Sequence, residues 1–224
     1  VALSAAVTDG ETTVDGITAR RVERSAEIAE TAASGIVPVL VSPELPDLPR
    51  SVVVDARLAK HALDTTIGDA SLVVALGPGF TAGSDCHAVV ETLRGPRLGR
   101  VIWEGSATAD TGVPGVVGGH SSERVLRAPT HGTVTWKVEI GDTVGADDVL
   151  GQVSGVDVAT VLEGAVRGLI ADGSTVEAGM KIGDVDPRGT GADGGASMWE
   201  VSDKALSVGG GVLEAVLTWL DRNS

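Results

Sequence analysis

Apolar positions are grouped along this chain in two ways, as short continuous runs and at helical spacing. Residues 71–76 (SLVVAL) form a continuous apolar run of strand length, and residues 37–41 (VPVLV), 51–54 (SVVV) and 101–103 (VIW) are shorter runs of the same kind. Such runs, bounded by turn residues, predict buried strands. Residues 23–34 and 201–220 instead carry apolar side chains at helical spacing. Gly35 closes the first of these segments, and Ser202-Asp203 stands where a cap opens the second. After residues 71–76 come glycines 77, 79 and 83, then Ser84 as a cap, with Gly95 and Pro96 as a stop. This predicts a helix over 84–94 and a strand–glycine loop–helix–strand unit, the grammar of an α/β fold. Gly209-Gly210-Gly211 interrupts the last helical pattern. Each glycine costs on the order of 1 kcal/mol relative to alanine, so a break or the close approach of another backbone is expected there. The helix is expected to pack back on the first domain.

The second half repeats itself. With a shift of 32, residues 130–153 (THGTVTWKVEIGDTVGADDVLGQV) align without a gap on 162–185 (LEGAVRGLIADGSTVEAGMKIGDV). Eight pairs are identical, among them Gly132/Gly164, Val134/Val166, Val144/Val176, Gly151/Gly183 and Val153/Val185. Each copy reads as a strand, a turn with Gly-Asp or Asp-Gly, a short Thr-Val segment and a final strand. Neither copy can bury its apolar face alone, so the two are expected to interlock into one small sandwich.

The pattern Ala128-Pro129-x-x-Gly132 followed by Gly141-Asp142-x-Val144, then repeated, resembles the biotinyl/lipoyl-type barrel-sandwich hybrid over about residues 125–187. In carriers of that type a lysine at the hairpin between the copies takes the cofactor. Here the hairpin falls near Ser154-Gly155-Val156-Asp157, and no lysine lies between Lys137 and Lys181. Covalent biotin or lipoate at that tip is therefore excluded, and the module reads as structural or docking.

Composition narrows the setting. The 224 residues carry 31 Asp+Glu against 17 Lys+Arg, a formal charge of −14 that argues against nucleic acid as a partner. Lysines number four, and the carboxylates are spread along the chain, which suits a salt-rich cytosol and predicts a halophilic protein. No apolar run approaches a membrane span and no signal peptide opens the chain, so a cytoplasmic location is expected. Aromatic residues are scarce at 2%, leaving the core to Val, Leu, Ile and Ala. The single cysteine, Cys86, rules out an internal disulfide and any multi-cysteine metal site.

Candidate chemistry gathers in the central segment. A loop with Gly77, Gly79, Thr81 and Gly83 ahead of a helix N-terminus can receive an anion through free backbone N–H groups. Its spacing is neither the dinucleotide fingerprint nor a phosphate loop, and Asp85 would repel a phosphate. The alternative is a tight turn built for close packing. On the predicted helix His87 and Glu91 are i,i+4 neighbours and can orient an imidazole. Otherwise Cys86 is a small core residue and His87 a helix-end donor. With ligands from elsewhere the His87/Glu91 pair could also bind a metal, but His61, His120 and His131 show no metal-ligand spacing, so no metal site is assigned. Arg57 and Lys60 concentrate positive charge and can attract an anionic ligand, or serve as salt-bridge partners for the abundant carboxylates.

Long strings complete the reading: DARLAKHALDTTIGDASLVVALGPGFTAGSDCHAVVET (55–92), LGRVIWEGSATADTGVPG (98–115), ERVLRAP (123–129), GMKIGDVDPRG (179–189) and VSDKALSVGGGVLEAVL (201–217). They resemble the YqeB-type family, described as selenium-dependent molybdenum hydroxylase system or maturation proteins. The resemblance implies an accessory role in maturing molybdenum hydroxylases, with such an enzyme or its cofactor machinery as partner. Members of that family open with a glycine-rich Rossmann-like unit that is absent here. The expected architecture is thus an N-terminally truncated, Rossmann-like α/β domain over 1–124, a barrel-sandwich hybrid over 125–187, and a linker and helix over 188–224. A homo-oligomer covering an open sheet edge is a further expectation. Three functions compete: an accessory protein binding an anionic cofactor precursor or nucleotide, a non-catalytic scaffold docking a partner enzyme through the sandwich, and an enzyme using Asp85, Cys86, His87 and Glu91. No cofactor is named by the sequence.

Overall fold

The computed structural model describes residues 3–61, 63–112, 115–189 and 200–224. Residues 190–199, part of the linker expected after the sandwich, lie outside them. The described chain is mostly β, with several small sheets and few helices. It divides into two units, one of residues 1–109 with 201–224 and one of residues 110–200.

In the first unit a short helix α1 (Ala6–Asp9) precedes β1 (Glu11–Val14) and β2 (Ile17–Val22), a hairpin turning at Asp15-Gly16. Helix α2 (Ile28–Ala33) follows a single 3-10 turn, and β3 (Val37–Leu40) then pairs parallel to β2. A second sheet has the order β4 (Val52–Asp55), β5 (Leu72–Leu76), β7 (Ala88–Val90), β8 (Val101–Ile102). The first three of these strands are parallel and β8 is antiparallel. Strands β6 (Thr81–Ala82) and β9 (Gly105–Ser106) form a small ribbon.

Every residue of β5 is buried, because the strand is covered on both faces. Leu72, Val74 and Leu76 pack with Ala88 and Val90 against Val208 and Ala215 of helix α3 (Asp203–Arg222). Val73 and Ala75 point the other way, toward Phe80, Cys86, Val89 and Ala107. Ser202 caps α3 by accepting from the Ala205 N–H at 3.1 Å. The helix runs unbroken through its three glycines, and at Gly211 an added Cβ would collide with the Gly99 carbonyl. The close backbone approach expected at the glycines is found at that one residue.

The helix predicted over 84–94 does not form. Residues 83–87 make a turn, and Ala88–Val90 is strand β7 in register with β5. Local cap and stop signals are outweighed here by the pairing of Ala88-Val89-Val90 with a fully buried strand. The strand–glycine loop–helix–strand unit is therefore not present, and β5 reaches the parallel β7 through a loop that contains β6.

In the second unit the sequence repeat becomes a structural one. Strands β11 (Gly132–Trp136), β12 (Thr143–Val144) and β13 (Val149–Val153) of the first copy match β15 (Gly164–Leu169), β16 (Thr175–Val176) and β17 (Lys181–Asp186) of the second. Each copy lends its short middle strand to the other. Val144 of β12 pairs with Gly164, and Val176 of β16 pairs with Gly132. With β10 (Val125–Arg127) and β14 (Val156–Ala159) this gives two four-stranded sheets. Val134, Val166, Val144, Val176, Val153 and Val185 meet in one core. The identical glycines have a steric reason: a Cβ on Gly132 would strike Ser154, and one on Gly164 would strike the Asp186 carbonyl. No helix among the described residues is long and apolar enough to cross a membrane.

Candidate functional site

The parallel strands β4, β5 and β7 share one carboxyl edge, where several of the predicted residues lie. At that edge Asp55 ends β4, Gly77 follows β5, and Glu91 with Thr92 follows β7. Asp55 is buried. It accepts from the Arg57 N–H at 3.0 Å, from Arg57 Nη2 at 2.6 Å and from the Thr65 hydroxyl at 2.5 Å. Burial raises the affinity of this carboxyl for a proton. The Arg57 and Thr65 hydrogen bonds overcome that and hold it below its ordinary range. The Arg57 guanidinium is also paired with Asp64 at 2.7 Å.

Glu91, 1% exposed, is the other buried carboxylate of this edge. One oxygen accepts from the Thr92 and Leu93 N–H groups, each at 2.8 Å. The other accepts from the Thr108 N–H at 2.8 Å and from its hydroxyl at 2.6 Å. Burial again raises the carboxyl and the Thr108 and backbone donors more than offset it, so Glu91 stays ionised below its ordinary range. One oxygen thus ties down the chain leaving β7, and the other holds Thr108 of the 105–109 segment against it.

The glycine loop is a packing device. Gly79 donates to the Ala59 carbonyl at 2.9 Å, and a Cβ there would lie 2.6 Å from that oxygen and 2.7 Å from the His61 carbonyl. Gly77 sits with its missing Cβ 3.4 Å from the Thr92 hydroxyl. The loop bearing Arg57 and Lys60 is thus seated on Gly77 and Gly79. Because no helix follows, the loop has no helix N-terminus to offer an anion, and the expectation built on that geometry is corrected here.

The predicted set is split between the two ends of the sheet. Asp85 closes a turn, accepting from the Thr81 N–H at 2.8 Å, while the Thr81 hydroxyl bonds Ser106 at 2.9 Å. Gly83 donates to the Cys86 carbonyl at 2.8 Å. His87 precedes β7 and Glu91 follows it, so the two do not share a helix face. Nδ1 of His87 accepts the Val73 N–H at 2.9 Å, which places the proton of the neutral ring on Nε2. Cys86 is fully buried, and burial, helped by the Asp85 charge, pushes its thiol up to about 11. Among the described residues no three His, Cys, Asp or Glu side chains gather as a metal site.

A second buried aspartate repeats the Asp55 arrangement in the other unit. Asp186 ends β17 and accepts from the Arg188 N–H at 3.0 Å and from Nη2 at 2.7 Å. Sequence reasoning missed this device, together with Thr65, Asp64 and Thr108. Its signal is Asp-x-Arg directly after an apolar strand, present as Asp55-Ala56-Arg57 and Asp186-Pro187-Arg188. In both cases the arginine is bound back to its own aspartate.

No family model matches the chain. Over 220 residues, 97% of its length, it is 49% identical to YqeB of Escherichia coli K12, an uncharacterized protein. The chain spans 40% of that relative's length. Two solved structures share local likeness. One is an aspartoacylase family protein from Mesorhizobium loti, with a TM-score of 0.26 and 19% identity over 29% of this chain and 23% of its own. The other is a succinylglutamate desuccinylase/aspartoacylase from Rhodobacter sphaeroides, with a TM-score of 0.26 and 20% identity over 38% of this chain and 30% of its own.

Proposed function

We propose that the chain is a YqeB-family protein that serves molybdenum hydroxylase maturation as a non-catalytic scaffold. Its second unit, read as a barrel-sandwich hybrid, docks a partner enzyme. The observation that carries this is the hairpin between the repeats. Strands β13 and β14 meet in a two-residue turn, Ser154-Gly155, with both residues at positive φ. Where a carrier domain presents its lysine, this turn has none.

The carboxyl edge of the first unit supports the same reading. Asp55 and Arg57 are occupied by each other and by Thr65 and Asp64, Glu91 by Thr108 and backbone donors, and the edge carries more carboxylate than guanidinium charge. That disfavours an anionic ligand there and, among the described residues of this edge, leaves no poised acid, base or nucleophile. Cys86 is buried and protonated, and His87 is tied to Val73.

Disruption of the gene in its source organism is expected to leave the hydroxylase polypeptide at its usual level while lowering its specific activity. Undiminished specific activity overturns the proposal. Re-expression of the His87→Ala variant is expected to restore activity. A Val156→Asp/Val161→Asp variant, altered at two exposed valines of the second unit, is expected not to. The reverse pattern would assign the function to chemistry in the first unit.

A further inference from the structure

Helix α3 is apolar on two opposite faces. Val208, Gly211 and Ala215 are buried against the sheet. Leu206, Leu213, Leu217 and Leu220 are 70%, 58%, 55% and 48% exposed. At 3.6 residues per turn these four leucines lie within about 40° of one line, opposite the buried face. Their spacing, with Gly210 included, alternates four and three residues, the seam of a helix that packs along another helix. A surface helix that served only its own core would carry polar residues here.

The glycines add a second observation. Gly211 is explained by its contact with Gly99, but a Cβ on Gly209 or Gly210 would meet nothing within 4 Å. Two glycines inside a helix therefore lower its stability without serving a contact among the described residues. Gly210 lies in the leucine seam and Gly209 at its side, where they would let a second helix approach closely.

Charge selects the occupant. Glu214 and Asp221, seven residues apart, border one side of the seam. Both are exposed, and among the described residues neither has an ion-pair partner. The other border is apolar, with Val212 and Val216 leading into the core. We infer that α3 is the docking face for a basic amphipathic helix of a partner protein. That helix has an apolar stripe in four–three spacing and lysine or arginine seven residues apart along the border that meets Glu214 and Asp221. A second copy of this chain would bring no basic border and a further −14 of charge. An anionic lipid surface would face the two carboxylates. The inference rests on α3 alone and is independent of the role given to the second unit.

The test uses a dye-labelled 21-residue peptide with leucines in four–three spacing and lysines bordering them every seventh residue. A twin carries glutamates at the border positions, and a third peptide has the scrambled sequence. Fluorescence anisotropy with the whole chain is expected to show binding of the lysine peptide at least tenfold tighter than either control. Leu213→Asp is expected to abolish it, with an unchanged circular dichroism spectrum because Leu213 is exposed. Glu214→Lys/Asp221→Lys is expected to reverse the preference between the lysine and glutamate peptides. The inference is overturned if the lysine peptide binds no better than its controls, or binds the Leu213→Asp variant equally well. It is also overturned if sedimentation shows a dimer that Leu213→Asp dissociates, or if the chain binds phosphatidylglycerol vesicles through Leu213 instead of the peptide.

Discussion

Glu91 shows how much one buried side chain decides. Its two oxygens satisfy four donors from three residues, so a change to glutamine presents an NH₂ group to N–H donors that need an acceptor. Glu91→Gln is expected to lower stability by about 2 kcal/mol, measured by urea unfolding. A change below about 0.5 kcal/mol would show that the 105–109 segment is held by other contacts. Acid should act through the same groups. Asp55, Glu91 and Asp186 are held below their ordinary values of 3.8, 4.5 and 3.8. Their stabilisation is therefore complete above about pH 5, and is lost as pH falls below those values toward the folded ones. Melting temperature is expected to be flat from neutral pH to about 5 and to drop below it, with a smaller drop in Glu91→Gln. Little of this was legible in the sequence. The twice-repeated Asp-x-Arg marks the two aspartates, but a lone Glu carries no local mark of burial, and Thr108 lies seventeen residues from Glu91.

At the scale of elements, α3 separates two kinds of glycine. Gly210→Ala is expected to raise stability by about 1 kcal/mol, because the position is helical and open. Gly211→Ala is expected to lower it by several times that, because the new methyl group meets the Gly99 carbonyl and Val90. Thermal denaturation of the two variants checks both, and equal effects would contradict the packing of α3 described above. Helix α3 was readable because a capping serine and twenty residues of helical spacing agree. The absent helix over 84–94 was misread because its cap and stop were equally good. What differed was the middle: Ala88-Val89-Val90 is buried on both faces as a strand beside β5. A three-residue strand is too short to show a period of its own.

For the molecule as a whole, the −14 charge is spread over both units and leaves few cations to balance it. Screening should therefore matter more than any single ion pair. Raising potassium chloride from 0.05 M to 2 M is expected to increase the melting temperature by several degrees, on the order of 1–2 kcal/mol. No gain would remove the reading of the charge as an adaptation to salt. The second unit was the most legible part of the chain. A repeat at a fixed shift of 32 states its own symmetry, and valines at equivalent positions state which faces must meet. The repeat, its interlocking need, the long C-terminal helix and the lysine-free hairpin could all be read along the chain, because each is a pattern among near neighbours. It took the folded chain to put Glu91 and His87 at opposite ends of β7, to give Arg57 to Asp55 and Asp64, and to leave the leucine seam of α3 exposed. Those depend on which distant segments fill the space around a side chain, and spacing along the chain holds no record of that.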